Sequence, residues 1–65
     1  MLVRKNRLGC TEARLYYVIE DDLSITWHTL LLQDGETLRE REFSTEGGAV
    51  QAYECLVKTQ ENICQ

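Results

Sequence analysis

The sequence predicts an α+β fold: a small antiparallel sheet of three to four strands with one C-terminal amphipathic helix packed on it. Three observations predict it. Residues 14–20 and 24–32 are rich in β-branched and aromatic side chains, with apolar residues recurring at every second position. Asp34-Gly35 separates the second run from a third, and this dipeptide suits a type I′ turn, which needs φ > 0 at both central positions. Beyond Ser44 the apolar spacing changes from two to three and four, the helical period.

The first segment, Leu2 to Leu8, reads either as a further strand or as a mobile arm, so residues 1–13 carry both descriptions: a first strand or a mobile basic arm. The run Arg14 to Glu20 places Leu15, Tyr17 and Ile19 on one face, and Glu20-Asp21-Asp22 ends it as a turn. The next strand, Ser24 to Leu32, puts Ile25, Trp27, Thr29 and Leu31 on one face and Thr26, His28, Leu30 and Leu32 on the other. Because its end is apolar on both faces, it is expected to be central, with something covering each side.

After Asp34-Gly35, the strand Glu36 to Phe43 alternates charges as a protected edge strand does. Leu38 and Phe43 have opposite parity in it, so both can point inward only across a bulge or at the strand's end. Ser44 or Thr45 then caps a helix expected to run from about Thr45 to Cys64, with Glu46 in its first turn. Ala49, Ala52, Tyr53, Leu56 and Ile63 form its apolar stripe, widened by Val50 and Val57. Gly47-Gly48 weakens the first turn, which a close approach to the sheet or a ligand would explain.

No proline and no Ser/Gly-rich stretch marks a linker, so residues 1–65 read as a single domain. At this size only about 60% of the unfolded chain's surface is buried, which makes a homodimer a reasonable expectation. No apolar run approaches the roughly 20 residues that span a bilayer, and no apolar segment follows Arg4, Lys5 and Arg7 as in a signal peptide. Three cysteines, Cys10, Cys55 and Cys64, include no C-x-x-C pair. The odd count argues against a closed disulfide framework and a zinc knuckle, and for a reducing, cytoplasmic location.

Charge is unevenly distributed. Arg4, Lys5, Arg7 and Arg14 against Glu12 make residues 1–14 net +3, so the remainder carries −7 of the overall −4. A basic first segment precedes an acidic body, which suits contact with phosphate or with an acidic partner surface.

Nothing in the chain assembles a catalytic constellation, and no enzyme activity is expected. His28 is the one histidine and has no Ser, Cys or Asp at a spacing that would fix it as a base. Glu40 and Glu42 share a strand face but alternate with Arg39 and Arg41, as edge charges do. Cys55 and Cys64 are two and a half helical turns apart, on different faces, so no metal site is expected. There is no phosphate-binding glycine motif and no cofactor is implied. The large aromatics are first of all core material. Because Tyr16 and Tyr17 point to opposite faces, one of them is a candidate interface residue.

The order Tyr16-Tyr17-Val18-Ile19, Trp27, Gly35, Phe43-Ser44-Thr45, Ala49, Tyr53 and Lys58-Thr59 with Asn62 resembles the WGR domain over residues 14–62. Where that family has Trp-Gly-Arg, this chain has Trp27-His28-Thr29. The resemblance implies a curved antiparallel sheet with a helix that binds nucleic-acid ends or neighbouring domains without catalysis, with Trp27 as the residue carried across. Phe43-Ser44-Thr45 with Ala49 and Tyr53 is also similar to the arm-type DNA-binding domains of phage integrases, without their dense lysines. For nucleic acid, phosphate neutralisation dominates affinity, so the basic residues would have to converge against an acidic body.

The expected function is therefore a non-catalytic interaction or regulatory module that binds a protein partner through a sheet face and helix, in the setting of a DNA transaction. The alternative is a weak nucleic-acid-binding module. The candidate binding residues are Trp27, Tyr16, Arg39, Arg41, Arg4 and Lys5.

Overall fold

A computed structural model describes residues 1–63. Four strands form one antiparallel sheet in chain order: β1 (Leu2–Leu8), β2 (Thr11–Ile19), β3 (Ile25–Gln33) and β4 (Glu36–Phe43). One helix, α1 (Glu46–Gln60), packs across β2, β3 and β4. The predicted class is the observed one, with the sheet at four strands.

The first segment is a strand and not an arm. Gly9, at φ 59°, opens the two-residue turn between β1 and β2, where a type II′ turn needs glycine first. β1 then pairs along β2 from Leu8 opposite Thr11 to Leu2 opposite Tyr16, with an irregularity at Val3. Asp34 (φ 52°) and Gly35 (φ 84°) both take the left-handed conformation that a type I′ turn requires. In β4, Leu31 faces Arg39 and Leu32 faces Thr37, so Leu38 is the extra residue of a bulge. Phe43 packs against the core, whereas Leu38 stays exposed at the bulge.

The core lies between α1 and one sheet face. Ala13, Leu15 and Leu31 from the sheet meet Ala49, Tyr53 and Leu56 from the helix, with Trp27, Phe43, Val50, Val57 and Ile63 around them. Thr45 is the N-cap, its hydroxyl accepting from the Gly48 N–H at 3.2 Å. Gly48 is the glycine in the close approach: a Cβ there would stand 3.2 Å from Thr45 Oγ1, tighter than ordinary contact, and 3.4 Å from the Phe43 ring; Gly47 faces open space.

Two expectations are corrected. The helix ends at Gln60, not near Cys64: the N–H groups of Asn62 and Ile63 bond back three residues, to Thr59 and Gln60, which tightens the chain into turns. Ile63 still reaches the core from this turn, while Cys64 lies outside the described residues. β3 is central as expected, but among the described residues only one of its faces is covered. Leu30 and Leu32 are half-buried by their sheet neighbours alone.

Gln60 is fully buried at the helix end. Its amide nitrogen donates to the Asn6 carbonyl (3.0 Å) and to Thr11 Oγ1 (3.1 Å), and its Oε1 accepts from Asn6 Nδ2 (2.9 Å). These bonds tie β1 to the helix across 54 residues of chain.

Candidate functional site

The strand pairings define the uncovered face as rows running across the sheet. One row is Leu2, Tyr16, His28 and Glu42; the next is Lys5, Arg14, Leu30 and Glu40; the third is Arg7, Glu12, Leu32 and Thr37. Val18 and Thr26 continue it on β2 and β3 beyond the ends of the flanking strands. Strand alternation puts all of these on the side opposite the helix-facing Ala13, Leu15 and Leu31.

The centre of this face is apolar and aromatic. Tyr16 lies flat on His28, ring centroids 4.9 Å apart and planes 6° from parallel. Imidazole Nδ1 of His28 is buried there with no hydrogen-bond partner among the described residues. The Tyr16 phenol is held above its ordinary ionisation range, first by burial and then by the negative charge and hydrogen-bonding capacity of Glu40. Beside the stack is a shallow depression of about 490 Å³ lined by Met1, Leu2, Lys5, Arg14, Tyr16 and Leu30. A second, of about 330 Å³, continues past Arg14 to Arg7, Leu32 and the Asp34-Gly35 turn.

The rim of the face has two signs. Lys5 and Arg7 on β1 are exposed and basic, and Glu40 and Glu42 on β4 are exposed and acidic. Between them Arg14 is ion-paired with Glu12 on the same strand. The face is therefore basic at the β1 edge and acidic at the β4 edge, with Tyr16, His28, Leu30, Leu32 and the Arg14–Glu12 pair between them.

The six candidate binding residues divide between the two sides of the sheet. Tyr16 and Lys5 meet on the uncovered face. Trp27 is on the other, packed against the core and tilted 48° on Tyr17 at 5.3 Å. Arg39 and Arg41 line a small cavity of about 100 Å³ with Thr29, Ala52 and Leu56, which places them beside the helix. The Arg41 guanidinium sits 5.0 Å from the Phe43 ring centroid. Arg4 approaches Tyr53, whose phenol is pushed up by burial and partly drawn back by that positive charge. β1 and β4 are opposite edges of the sheet, so the basic residues form two groups, not one patch.

Comparison with protein-family models, characterised proteins and solved structures finds no match.

Among the described residues, no group of three or more His, Cys, Asp or Glu is placed to hold a metal ion, and no helix is long and apolar enough to cross a membrane. Cys55 is a free, exposed thiol, whereas Cys10 is disulfide-bonded.

Three features of the structure have no clear local signal in the sequence. His28, which no neighbour fixes as a base, forms half of the central stack. The alternation of Leu30 and Leu32 with Leu31 signalled two apolar faces but not that one would stay open. The β2–β3 hairpin projects with Ile19, Leu23 and Ile25 exposed, and Leu23 takes φ 69°, a conformation rare for a leucine.

Proposed function

We propose that this protein is a non-catalytic interaction module that binds a protein partner through its uncovered sheet face. One observation carries the reading: a central strand pair displays Tyr16, His28, Leu30 and Leu32 on a face that α1 does not cover. An exposed cluster of aromatic and leucine side chains flanked by charged residues is the pattern of a protein interface, and an aromatic anchor at its centre is where binding energy concentrates. A sheet with one helix that binds without catalysing also agrees with the WGR resemblance.

Nucleic acid is the less favoured ligand. Tracking a phosphate backbone needs basic side chains on one surface. Here Arg39 and Arg41 stand beside the helix, while Lys5 and Arg7 share their face with Glu40 and Glu42.

Site-specific photocrosslinking tests the reading. With benzoylphenylalanine in place of Leu30, the chain expressed in cells is expected to form polypeptide adducts that do not form when the probe replaces Glu54, on the exposed side of α1. Absence of adducts from position 30, or equal yields from both positions, would overturn it.

A further inference from the structure

We propose that the occupant of the uncovered face is a second copy of this chain, stacked face to face about a two-fold axis that runs parallel to the strands between β2 and β3. The inference rests on the reading of that face as a protein interface and names its partner.

The charge order across the sheet selects this arrangement. A two-fold axis along the strands keeps each row level and exchanges its ends, so β1 of one copy comes to lie over β4 of the other. In the middle row, Lys5, Arg14, Leu30 and Glu40 are successive register partners. The operation therefore sets Lys5 over the second copy's Glu40, and Glu40 over its Lys5. In the neighbouring row it sets Tyr16 over the opposing His28, stack upon stack, with Glu42 over the opposing Leu2; in the third it sets Arg7 over the opposing Thr37 on the acidic β4 edge, and Glu12 over the opposing Leu32. An axis across the strands would instead lay β1 on β1 and β4 on β4, setting the basic edge against itself and the acidic edge against itself. Only the first operation makes a sheet that is basic at one edge and acidic at the other complementary to itself.

The geometry of stacked sheets accommodates the pairs. Two sheets pack about 10 Å apart with strands rotated by about 30°, and this rotation displaces an edge strand about 7 Å from the axis by only about 4 Å. Lysine, arginine and glutamate side chains span such an offset. Four strands at about 4.8 Å spacing and three to four rows give a contact near 1,000 Å² for the two copies together, the lower bound for a specific interface. The expected dimer is accordingly weak and concentration-dependent.

Sedimentation equilibrium with the intact chain, from about 10 μM to about 1 mM to suit an interface of this size, tests the proposal. The wild type is expected to shift from monomer to dimer over this range. The double variant Lys5→Glu/Arg7→Glu and the double variant Glu40→Lys/Glu42→Lys alter exposed edge residues only, and circular dichroism checks that each stays folded. Each alone is expected to dimerise at least about tenfold more weakly, and an equimolar mixture of the two to recover association as a heterodimer. A wild type that stays monomeric throughout, a dimer indifferent to both variants, or a mixture without recovery would overturn the proposal. Crosslinking from position 30 separates its failure from that of the interface reading: adducts to other polypeptides alone leave the face an interface but remove the second copy, and no adducts remove both.

Discussion

The buried amide of Gln60 and the Asn6 side chain and carbonyl bond each other in both directions, at 2.9 and 3.0 Å, and so join the last turn of the helix to the first strand. An Asn in an edge strand and a Gln at a helix end are each unremarkable alone. Paired in the interior they satisfy each other, with Thr11 Oγ1 as third partner. Replacing Gln60 by Leu leaves the Asn6 amide and carbonyl without these partners. The expected cost is about 2–3 kcal/mol, read as a lower urea midpoint, and β1 amides should lose hydrogen-exchange protection before those of β3.

Gly47→Ala and Gly48→Ala should separate in sign. A Cβ at Gly47 meets nothing within 4 Å, so alanine there gains helix propensity and is expected to stabilise by about 0.5–1 kcal/mol. At Gly48 the same methyl stands 3.2 Å from Thr45 Oγ1 and 3.4 Å from the Phe43 ring. It crowds the cap, and no gain is expected. Thermal unfolding of the two variants side by side checks this.

His28→Phe keeps a flat ring against Tyr16 and removes the unpartnered Nδ1. A buried polar atom without a partner costs on the order of 1 kcal/mol or more, so the variant is expected to melt roughly 4–8 °C higher for a domain of this size. A lower melting temperature would show that the imidazole nitrogen is satisfied in solution.

The Tyr16 phenol should titrate above the ordinary tyrosine range. Burial is the larger cause and Glu40 the smaller, so Glu40→Gln is expected to lower the midpoint only part of the way. A phenol held protonated in the folded state contributes stability that is complete below the unfolded pKa and lost as pH rises through the folded one. NMR of ring-labelled tyrosine, wild type against Glu40→Gln, reads the shift at a concentration where the chain is monomeric.

Much of the fold was legible because its signals are local. Asp34-Gly35 carries its turn in two residues, Ser44-Thr45 narrows the cap to two, and the mismatch of Leu38 with Phe43 marks β4 for a bulge or an early end. Leu2–Leu8 was ambiguous because what holds it is remote: Gln60 follows it by more than fifty residues, and a polar residue on the buried stripe is invisible to an apolar count. The same limit applies to the site. Tyr16 could be assigned to a face by alternation, but Arg39 and Arg41 could be sorted from Lys5 only once the register and the helix side were known. The charge order across the sheet is a property of pairing, not of any segment.

The meander has a kinetic consequence. Every strand pairs with its neighbour in sequence, so each pairing closes only a short turn before it gains its hydrogen bonds. Low contact order of this kind favours rapid assembly of the sheet, and a chain without proline has no slow prolyl isomerisation to wait for. The contact between Gln60 and Asn6, 54 residues apart, closes a far longer loop than any strand pairing and is expected to form after the sheet.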